Sequence, residues 1–377
     1  MLRILITGSR GFIGKNLVQH LAPHEDIEIV TYDREHVETD LLSRMSGVDF
    51  VFHLAGVNRP RDPHEFRKGN TILTQCLCNA LRQEMQSSGR KIPVLFTSSR
   101  QAELENPYGE SKRSAEKLIK ELGAETNSPI YLFRLTNVFG KWCRPNYNSA
   151  VATFCYNIAR GRPFVINDPS AVLRLVYIDD VIAAFLKTLA SDTPLPCDAN
   201  GFLPVEPEYT STVGEVVDHI RAFRESRGTL ITEKVGQGLL RALHSTYLSY
   251  LPKNEFSYTL PKHEDNRGAF VEMLKTPECG QFSYFTAFPG ITRGGHYHHT
   301  KTEKFLVIKG TARFRFRQID SGETHELVTS GSCAEVVETV PGWSHDITNI
   351  GEGEMVVMLW ANEVFDHQNP DTFSSPL

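Results

Sequence analysis

The sequence predicts two domains, an α/β domain with a parallel sheet followed by an all-β domain, which is a barrel or a sandwich. The first observation is length, because 377 residues exceed what one hydrophobic core usually organises. The second is an alternation of short apolar runs with helical patterns up to about residue 190, which is typical of a parallel α/β sheet. The third is a change beyond about residue 250 to short strands separated by glycine-containing turns.

Individual elements follow from these patterns in chain order. Residues 2–6 predict a buried strand and residues 11–22 a helix. Further strands are predicted at 27–32, 48–54, 93–97 and 130–134, and residues 213–249 have a helical pattern. C-terminal strands are predicted at 282–288, 304–308, 312–319 and 355–360. We place the boundary so that the domains comprise residues 1–245 and 246–377.

Composition excludes several classes of protein. Hydrophobic residues make up 40% of the chain and charged residues 23%, which argues against extensive disorder. The net charge of -5 argues against partners such as nucleic acid or an anionic membrane. Seven cysteines, without a Cys-x-x-Cys pair, indicate reduced thiols. There is neither a secretory signal pattern nor an apolar run of bilayer length, so we expect a cytoplasmic protein.

A glycine-rich turn between the first strand and the first helix predicts a dinucleotide site. Gly8 suits a tight turn, Gly11 lets the backbone approach a pyrophosphate, and Gly14 allows close packing of helix on strand. Asp33, at the end of the second strand, favours a free ribose 2′-hydroxyl and therefore NAD. Arg10 and Arg34 flank the same pocket and suit a 2′-phosphate, so we favour NADPH.

A tyrosine and a lysine four residues apart predict an acid–base site. Tyr108 and Lys112 would share one face of a helix, and a nearby ammonium makes a phenol a better acid–base group. By itself this pair is more typical of a helix surface. Ser98 and Ser99, however, end the preceding strand, where α/β proteins bind ligands.

These motifs resemble the extended short-chain dehydrogenase/reductase family, which has a Rossmann fold. More of that family's pattern lies at residues 40–41, 53–56, 70, 134–140 and 177–180. The resemblance implies that Tyr108 is the catalytic acid, that Lys112 binds the nicotinamide ribose and lowers the Tyr108 pKa, and that Ser99 hydrogen-bonds the reacting oxygen. The cofactor contacts it implies are Gly8, Arg10, Gly11, Phe12, Ile13, Gly14, Asp33, Arg34, Asp40, Leu41, Leu54, Ala55, Gly56, Tyr108 and Lys112, with Asp40 and Leu41 against the adenine.

Substrate contacts are also implied by the resemblance. Its members usually place an arginine four residues before the tyrosine of the Tyr-x-Asp-Asp segment, against the nucleotide of the sugar. Here that position is Leu173, with Arg174 beside it. The expected substrate contacts are therefore Arg174 together with Asn137, Asn146 and Asn148.

Histidines and a glutamate in the C-terminal region predict a metal site. His296 and His298 point to one side of a strand, because residues two apart on a strand share a face. Glu303 on the next turn and His345 from a distant strand complete three nitrogens and an oxygen. Such ligands suit zinc, iron, nickel or manganese, of which we expect zinc. A histidine-rich surface turn is the competing interpretation, and the adjacent His299 is a candidate base or a solvated side chain.

The spacing of these ligands resembles the two cupin motifs, although Pro341-Gly342 lacks the usual intervening residue. With residues 139–149 and 245–252, the whole chain is similar to the CapF-type capsular polysaccharide enzymes. That family comprises the UDP-2-acetamido-2,6-dideoxy-hexos-4-ulose reductases of the UDP-N-acetyl-L-fucosamine pathway. The resemblance implies C3 epimerisation of a 4-keto sugar by the cupin, reduction at C4 with NADPH to UDP-N-acetyl-L-talosamine, and a homodimer.

Two other functions remain open at this stage. The first is a nucleotide-sugar 4-epimerase or dehydratase that recycles bound NAD and carries a structural cupin. Dehydratases of the family place acidic residues directly after the strand-end hydroxyl, whereas Arg100 and Gln101 follow here. The second is a non-catalytic NADP-binding sensor, although degenerate binding modules of this fold usually lose the tyrosine–lysine pair.

Overall fold

In a computed structural model of the chain, the described residues are 1–191, 193, 195–261, 263–265, 268–270, 273–274, 280–363 and 368–377. They form two compact units, each built from two stretches of chain. The first unit comprises Met1–Val138 and Arg174–Thr210, and the second comprises Phe139–Leu173 and Ser211–Leu377. The domain boundary expected between residues 245 and 246 stays a prediction.

A five-stranded parallel sheet of order β2-β1-β3-β4-β5 forms the centre of the first unit. Its strands are rich in apolar residues, and their bounds are β1 Leu2–Thr7, β2 Ile27–Tyr32, β3 Phe50–His53, β4 Val94–Ser99 and β5 Ile130–Leu135. The parallel α/β sheet predicted from the sequence is therefore confirmed, and its topology is Rossmann-like. Strand order reverses between β1 and β3, so ligands are expected at the carboxyl ends of these strands.

Helices connect the strands of this sheet and continue into the second unit. Their bounds are α1 Phe12–Leu21, α2 Glu38–Met45, α3 His64–Phe66, α4 Leu73–Ser88, α5 Pro107–Thr126, α6 Ala150–Ala159, α7 Ile178–Leu189, α8 Val213–Thr229 and α9 Gly238–Ser249. A π-helical turn at Arg67–Ile72 precedes α4. None of the helices within the described ranges is long and apolar enough to cross a bilayer.

Helix α5 carries the predicted acid–base pair, and its sequence explains where it begins. The Asn106 side chain accepts a hydrogen bond from the Gly109 N–H at 2.8 Å, which caps the helix. Pro107 occupies the first turn, where its missing N–H costs nothing. One face of α5, including Lys112 and Ala115, is buried. This start places Tyr108 and Lys112 near the carboxyl end of β4.

Antiparallel strands dominate the C-terminal part of the second unit, in two five-stranded sheets of order β12-β19-β14-β17-β9 and β16-β15-β18-β13-β20. A three-stranded sheet β6-β7-β8 and a hairpin β10-β11 complete the strands that the structure describes. Their bounds are β6 Asn137–Phe139, β7 Val172–Tyr177, β8 Glu208–Thr212, β9 Ser257–Thr259, β10 His263–Asp265, β11 Gly268–Phe270, β12 Gln281–Ala287, β13 Thr292–Tyr297, β14 Glu303–Lys309, β15 Thr311–Gln318, β16 Thr324–Ser330, β17 Glu335–Glu338, β18 Trp343–Asn349, β19 Met355–Ala361 and β20 Phe373–Ser374. The all-β character predicted for this region is confirmed.

The helical pattern at residues 213–249 forms two helices instead of one. Thr212 caps α8 by accepting a hydrogen bond from the Glu215 N–H at 3.2 Å. Leu230, at φ +61°, ends that helix in the left-handed conformation. Residues 230–237 then separate α8 from α9. The six cysteines that lie in the described part of the chain are free thiols, as expected, and Cys279 lies outside the described residues.

Candidate active site

The glycine-rich turn brings the first helix close to the ends of β1 and β3. Gly8 has φ +74°, and a Cβ atom at this position would lie 2.7 Å from the Ala55 Cα. A Cβ at Gly14 would lie 2.1 Å from the Gly8 carbonyl oxygen. Only glycine fits at these two positions, because a side chain would collide with backbone atoms. Phe12 and Ile13 begin α1 directly after this turn, so the unpaired N–H groups of the helix N-terminus lie where we expect the pyrophosphate.

Asp33 is held by the same turn. Its carboxylate accepts hydrogen bonds from the Ser9 hydroxyl at 2.5 Å and from the Arg10 N–H at 3.2 Å. The Arg10 guanidinium forms an ion pair with Glu35 at 2.7 Å, and Arg34 is exposed beside them. The Asp33 carboxylate therefore already accepts hydrogen bonds within the protein, while the Arg34 side chain is exposed on the surface.

The remaining residues expected to contact the cofactor lie around the two strand ends. The Leu54 N–H donates to the Thr7 carbonyl at 3.2 Å, and the Ala55 N–H donates to the Thr7 hydroxyl at 3.2 Å. A Cβ at Gly56 would lie 3.2 Å from Lys112 Nζ, so this glycine adjoins the acid–base pair. Asp40 accepts from the Val37 N–H at 3.1 Å, and Leu41 is buried in the core of the unit. Contact of Asp40 and Leu41 with the adenine stays a prediction.

Tyr108 and Ser99 meet at the carboxyl end of β4. The Ser99 hydroxyl lies close enough to the phenol to affect its pKa, and it accepts a hydrogen bond from the Gln101 N–H at 3.2 Å. Burial raises the pKa of Tyr108, and the Ser99 hydroxyl only partly opposes this. The phenol therefore stays protonated at neutral pH, which is the state that a proton donor requires.

Lys112 is buried beside this pair. Its ammonium donates to the Thr97 carbonyl at 2.8 Å and lies 5.0 Å from the centre of the Phe96 ring. Burial lowers the pKa of Lys112 to about 8, although the carboxylate of Glu116 opposes the shift. Desolvation dominates the pKa of Tyr108 and the Lys112 ammonium is bonded to backbone, so the expected lowering of that pKa by Lys112 stays a prediction.

The structure distinguishes the two serines that end β4. The Ser98 hydroxyl points to the opposite face and donates to the buried Glu116 carboxylate at 2.5 Å. The same carboxylate receives two hydrogen bonds from the Arg134 guanidinium, at 2.9 and 2.7 Å. Ser98 therefore belongs to a structural network, whereas Ser99 faces Tyr108.

This difference predicts opposite effects for two neighbouring substitutions. Ser99→Ala should lower the rate of the expected ketone reduction at least tenfold, because it removes the donor that we expect at the reacting oxygen, and should leave the melting temperature nearly unchanged. Ser98→Ala should cost about 1–2 kcal/mol of unfolding free energy, because a buried hydrogen bond to a charged group is lost, with little effect on rate. Denaturant unfolding and steady-state kinetics of both variants check this. Equal losses of activity in the two variants would contradict the assignment of Ser99.

A buried polar chain beneath the turn was not expected from the sequence. His53 bridges Thr7 and Thr74, with its ring nitrogens 2.7 and 2.8 Å from their hydroxyls. Burial, helped by the charge of Lys112, lowers the pKa of His53 to about 3, so the ring is neutral. Asn70 donates to the Ser111 hydroxyl at 2.9 Å and thereby braces α5. These side chains stabilise the strand ends that precede Gly8 and Ala55. In the sequence, only the family pattern pointed to His53 and Asn70.

The four expected substrate residues lie in both units. In the first unit the Asn137 amide donates to the Arg174 carbonyl at 3.0 Å, so the structure brings these two together. The Arg174 guanidinium lies 3.7 Å from the Glu208 carboxylate. In the second unit Asn146 and Asn148 are exposed, and the Asn146 N–H donates to the Thr153 hydroxyl at 3.0 Å.

The predicted metal ligands converge in the second unit. Ligand atoms of His296, His298, Glu303 and His345 all lie within 4.8 Å of one another. The Nε2 atoms of His298 and His345 are 3.2 and 3.4 Å from one carboxylate oxygen of Glu303. We call these four residues the His/Glu cluster.

Strand pairing explains how these residues meet. His296 on β13 lies opposite His345 on β18, after a register shift between Gly294 and His296. Gly294 and Gly295 have φ values of +92° and +75°, so the shift uses conformations that side chains disfavour. Tyr297 packs against Phe373, away from the cluster, as the two-residue period predicts.

The electrostatics of the His/Glu cluster suit a divalent cation. Burial lowers the pKa of His296 to about 4, and it also lowers that of His345, so both rings are neutral. Burial alone would raise the pKa of Glu303, but His298 and His345 hold it well below its usual range. The buried ring nitrogens of His345 make no hydrogen bond within the described residues. Neutral imidazoles with an ionised carboxylate are a complete donor set for such an ion.

Asp371 supports the cluster, although it lies 73 residues after His298 in the sequence. Its carbonyl accepts from His298 Nδ1 at 2.6 Å, which leaves His298 Nε2 directed at Glu303. Its carboxylate accepts from the N–H groups of His299 and Lys301 at 3.0 and 2.7 Å. The His299 ring is buried against Tyr297 and Phe373, outside the cluster, so the solvated role considered for it is wrong. No sequence signal identified Asp371.

Comparison with known proteins shows which families the two regions of the chain match. Residues 4–196 match the NAD dependent epimerase/dehydratase family, and residues 263–373 match the polysaccharide biosynthesis C-terminal domain. The chain is 58% identical over 373 residues to the UDP-2-acetamido-2,6-beta-L-arabino-hexul-4-ose reductase of Pseudomonas aeruginosa, covering 99% of this chain and 98% of the relative.

Solved structures agree with that match. The capsular polysaccharide assembling protein CapF from Staphylococcus aureus is 40% identical, with a TM-score of 0.67 and full coverage of both chains. A UDP-glucuronic acid 4-epimerase from Bacillus cereus, solved with UDP-glucuronic acid and NAD, covers 59% of this chain and 83% of its own at 19% identity and a TM-score of 0.51, so it shares the fold. The chain therefore belongs to the NAD dependent epimerase/dehydratase family, in the same family as the Pseudomonas reductase and CapF, and is an NAD(P)-dependent oxidoreductase.

Proposed function

We propose that the chain reduces, with NADPH, the C4 ketone of a UDP-2-acetamido-2,6-dideoxy-4-keto-hexose after epimerising it at C3. The product is then UDP-N-acetyl-L-talosamine, an intermediate on the route to UDP-N-acetyl-L-fucosamine for capsule or O-antigen. The reductase named among the relatives acts on a sugar of this kind. The observation that carries the proposal is the meeting of Tyr108, Ser99 and Lys112 at the carboxyl end of β4, where the Lys112 ammonium donates to the Thr97 carbonyl at 2.8 Å.

Reduction at C4 follows from the protonation states of these groups. A bound nicotinamide cofactor supplies the hydride that adds to C4. As negative charge develops on the C4 oxygen, Tyr108 delivers its proton to that oxygen and Ser99 donates a hydrogen bond to it. Lys112 remains at the carboxyl end of β4, where we assign it to the nicotinamide ribose. The ketone gains one hydride and one proton and becomes an alcohol.

Epimerisation at C3 is assigned to the C-terminal region, which we propose to be a cupin barrel. A C4 ketone acidifies the C3 proton, so inversion requires removal of that proton and its return to the opposite face. His296, His298, Glu303 and His345 would hold a divalent ion, for which zinc is our choice. Such an ion, when bound, stabilises negative charge on a neighbouring oxygen. We further propose that the chain acts as a homodimer in the cytoplasm.

Incubation with the 4-keto sugar and NADPH in heavy water tests the whole proposal by NMR. We expect deuterium at C3, because epimerisation exchanges that proton with solvent, and protium at C4, because the hydride comes from NADPH. NADPH should be consumed in a one-to-one ratio with product. Retention of the C3 proton would contradict the epimerisation, and turnover without net NADPH oxidation would indicate an epimerase or dehydratase that recycles its cofactor.

Preference for NADPH over NADH rests on Arg34. Because Asp33 already accepts two hydrogen bonds from the glycine turn while Arg34 is exposed, we assign Arg34 and Arg10 to the 2′-phosphate. Arg34→Ala should weaken NADPH binding by about 1–3 kcal/mol and leave NADH binding nearly unchanged. Calorimetric titration with both cofactors measures the difference. Arg82→Ala, which removes a surface partner of Glu125, is the control. Equal losses for the two cofactors would favour NAD.

A further inference from the structure

Two segments to which we assign no part in the transfer of hydride or proton meet in the second unit. They are residues 139–149 and 245–252, two segments that carry the resemblance to the CapF-type enzymes. The buried Tyr250 hydroxyl donates to the Cys143 carbonyl and lies 3.5 Å from the Gly140 carbonyl. One side chain from the second segment therefore fixes the backbone on both sides of Trp142.

Trp142 is held in an unusual conformation by this arrangement. Its φ of +67° lies in the left-handed region, which bulky residues rarely adopt. Strain of this kind persists only where the surroundings impose it, and it is frequent near functional sites. The strained backbone directs the indole onto Gly342. A Cβ at Gly342 would lie 2.8 Å from the indole Cζ2, so the contact requires a glycine.

Gly342 connects two histidines of the His/Glu cluster. Its N–H donates to the His298 carbonyl at 3.0 Å, and its carbonyl accepts from the Ile319 N–H at 3.0 Å. The chain continues from Gly342 into β18, whose third residue is His345. A displacement of Gly342 would therefore move the backbone of His298 and the start of the strand that carries His345.

We propose that Trp142 is a positioning residue for the His/Glu cluster, acting through Gly342. The indole packs against Gly342, whose N–H fixes the backbone of His298 and whose chain continues into the strand that carries His345. Trp142 itself touches no ligand atom in this role. The inference rests on the proposed metal site. It connects that site to a segment that also contains Asn146 and Asn148, which we expect to contact the substrate.

A double-mutant cycle on the full-length chain tests the contact, with Co²⁺ as the probe. Gly342→Ala should weaken Co²⁺ binding about tenfold, as loss of support behind a metal ligand typically does. Trp142→Phe should also weaken binding and change the visible absorption of bound Co²⁺. In the double variant the smaller ring relieves the clash, so binding should be tighter than in Gly342→Ala alone. Tyr147→Phe, which removes only a hydroxyl from the same segment, is the control.

The outcomes separate this inference from the metal proposal. Additive losses in the cycle, or a Co²⁺ spectrum unchanged in Trp142→Phe, would overturn the positioning role while the metal site stands. The backbone strain of alanine at φ +80° is common to Gly342→Ala and the double variant, so it does not affect their comparison. Failure of the wild-type chain to bind Co²⁺ or Zn²⁺ would overturn the metal site and the positioning role together.

Discussion

Tyr108→Phe should reduce the rate of NADPH-dependent ketone reduction by about a hundredfold or more. The substitution removes the proton that we assign to the C4 oxygen, and general acid catalysis contributes on the order of 10²–10⁴-fold. It leaves the ring packed near Phe66, at 5.6 Å between ring centres, so the fold should be unaffected. Steady-state oxidation of NADPH, followed by its absorbance, gives the rate, and the affinity for NADPH should change little.

A second tyrosine in the same unit serves as the matched control. Tyr131 lies on β5, and its ring stacks 6.2 Å from that of Phe50. Tyr131→Phe should retain the rate of the wild-type chain, because its hydroxyl has no place in the proposed chemistry. A Tyr108→Phe variant with a near-normal rate would show that another group supplies the proton. If the wild-type chain binds NADPH yet never oxidises it with any 4-keto sugar, a sensor function would be favoured instead.

His298→Ala should abolish binding of a divalent ion to the His/Glu cluster. Loss of a residue that supports a ligand typically lowers metal affinity about 10–100-fold, so loss of a direct ligand should lower it at least as much. In the wild-type chain, Zn²⁺ at a hundred times its dissociation constant should add about 2.7 kcal/mol to the unfolding free energy. That Zn²⁺-dependent gain should vanish in the variant. Elemental analysis and the melting temperature, each with and without added Zn²⁺, measure the two effects.

The control for this variant is a histidine outside the cluster. His219 on α8 contacts Glu233 at 3.0 Å and is partly exposed, so His219→Ala should retain both the metal and the stabilisation. Exchange of the C3 proton should fail in His298→Ala, whereas reduction of a ketone already epimerised should survive, because Tyr108 belongs to the other unit. A carefully purified wild-type chain without metal, and without stabilisation by Zn²⁺, would refute the ligand assignment. Normal C3 exchange in His298→Ala would leave the ion a structural role.

Much of the reductase site could be predicted because its signals are local in sequence. Gly14 is required by contacts within one strand–turn–helix unit, and Gly8 has a positive φ in the turn of that unit, so their spacing alone identified them. The choice between Ser98 and Ser99 is different, since both are hydroxyls at a strand end. Only the position of Glu116, on a helix packed against that strand, shows which serine is part of a buried network and which faces Tyr108.

The same limit applies to pKa values. A lysine four residues from Tyr108 suggested a lowered phenol pKa, yet the structure raises it. Charge spacing is visible in the sequence, but desolvation depends on how much of the chain covers a group. His53 illustrates this as well, because its neutral state follows from burial among residues of three separate segments.

Sequence patterns alone predict the parallel α/β sheet, the glycine turn, the tyrosine–lysine pair and the four residues of the His/Glu cluster. Each of these depends on short-range periodicity or on residue types that few other roles explain. Features that depend on the meeting of distant segments could be seen only in the folded chain. The fold joins His298 to the Asp371 carbonyl, Tyr250 to the backbone around Trp142, and Trp142 to Gly342. Those contacts form only when the whole chain folds. The residues concerned are some 70 to 200 positions apart, and hydrogen bonding or steric fit between them leaves no pattern in a single sequence.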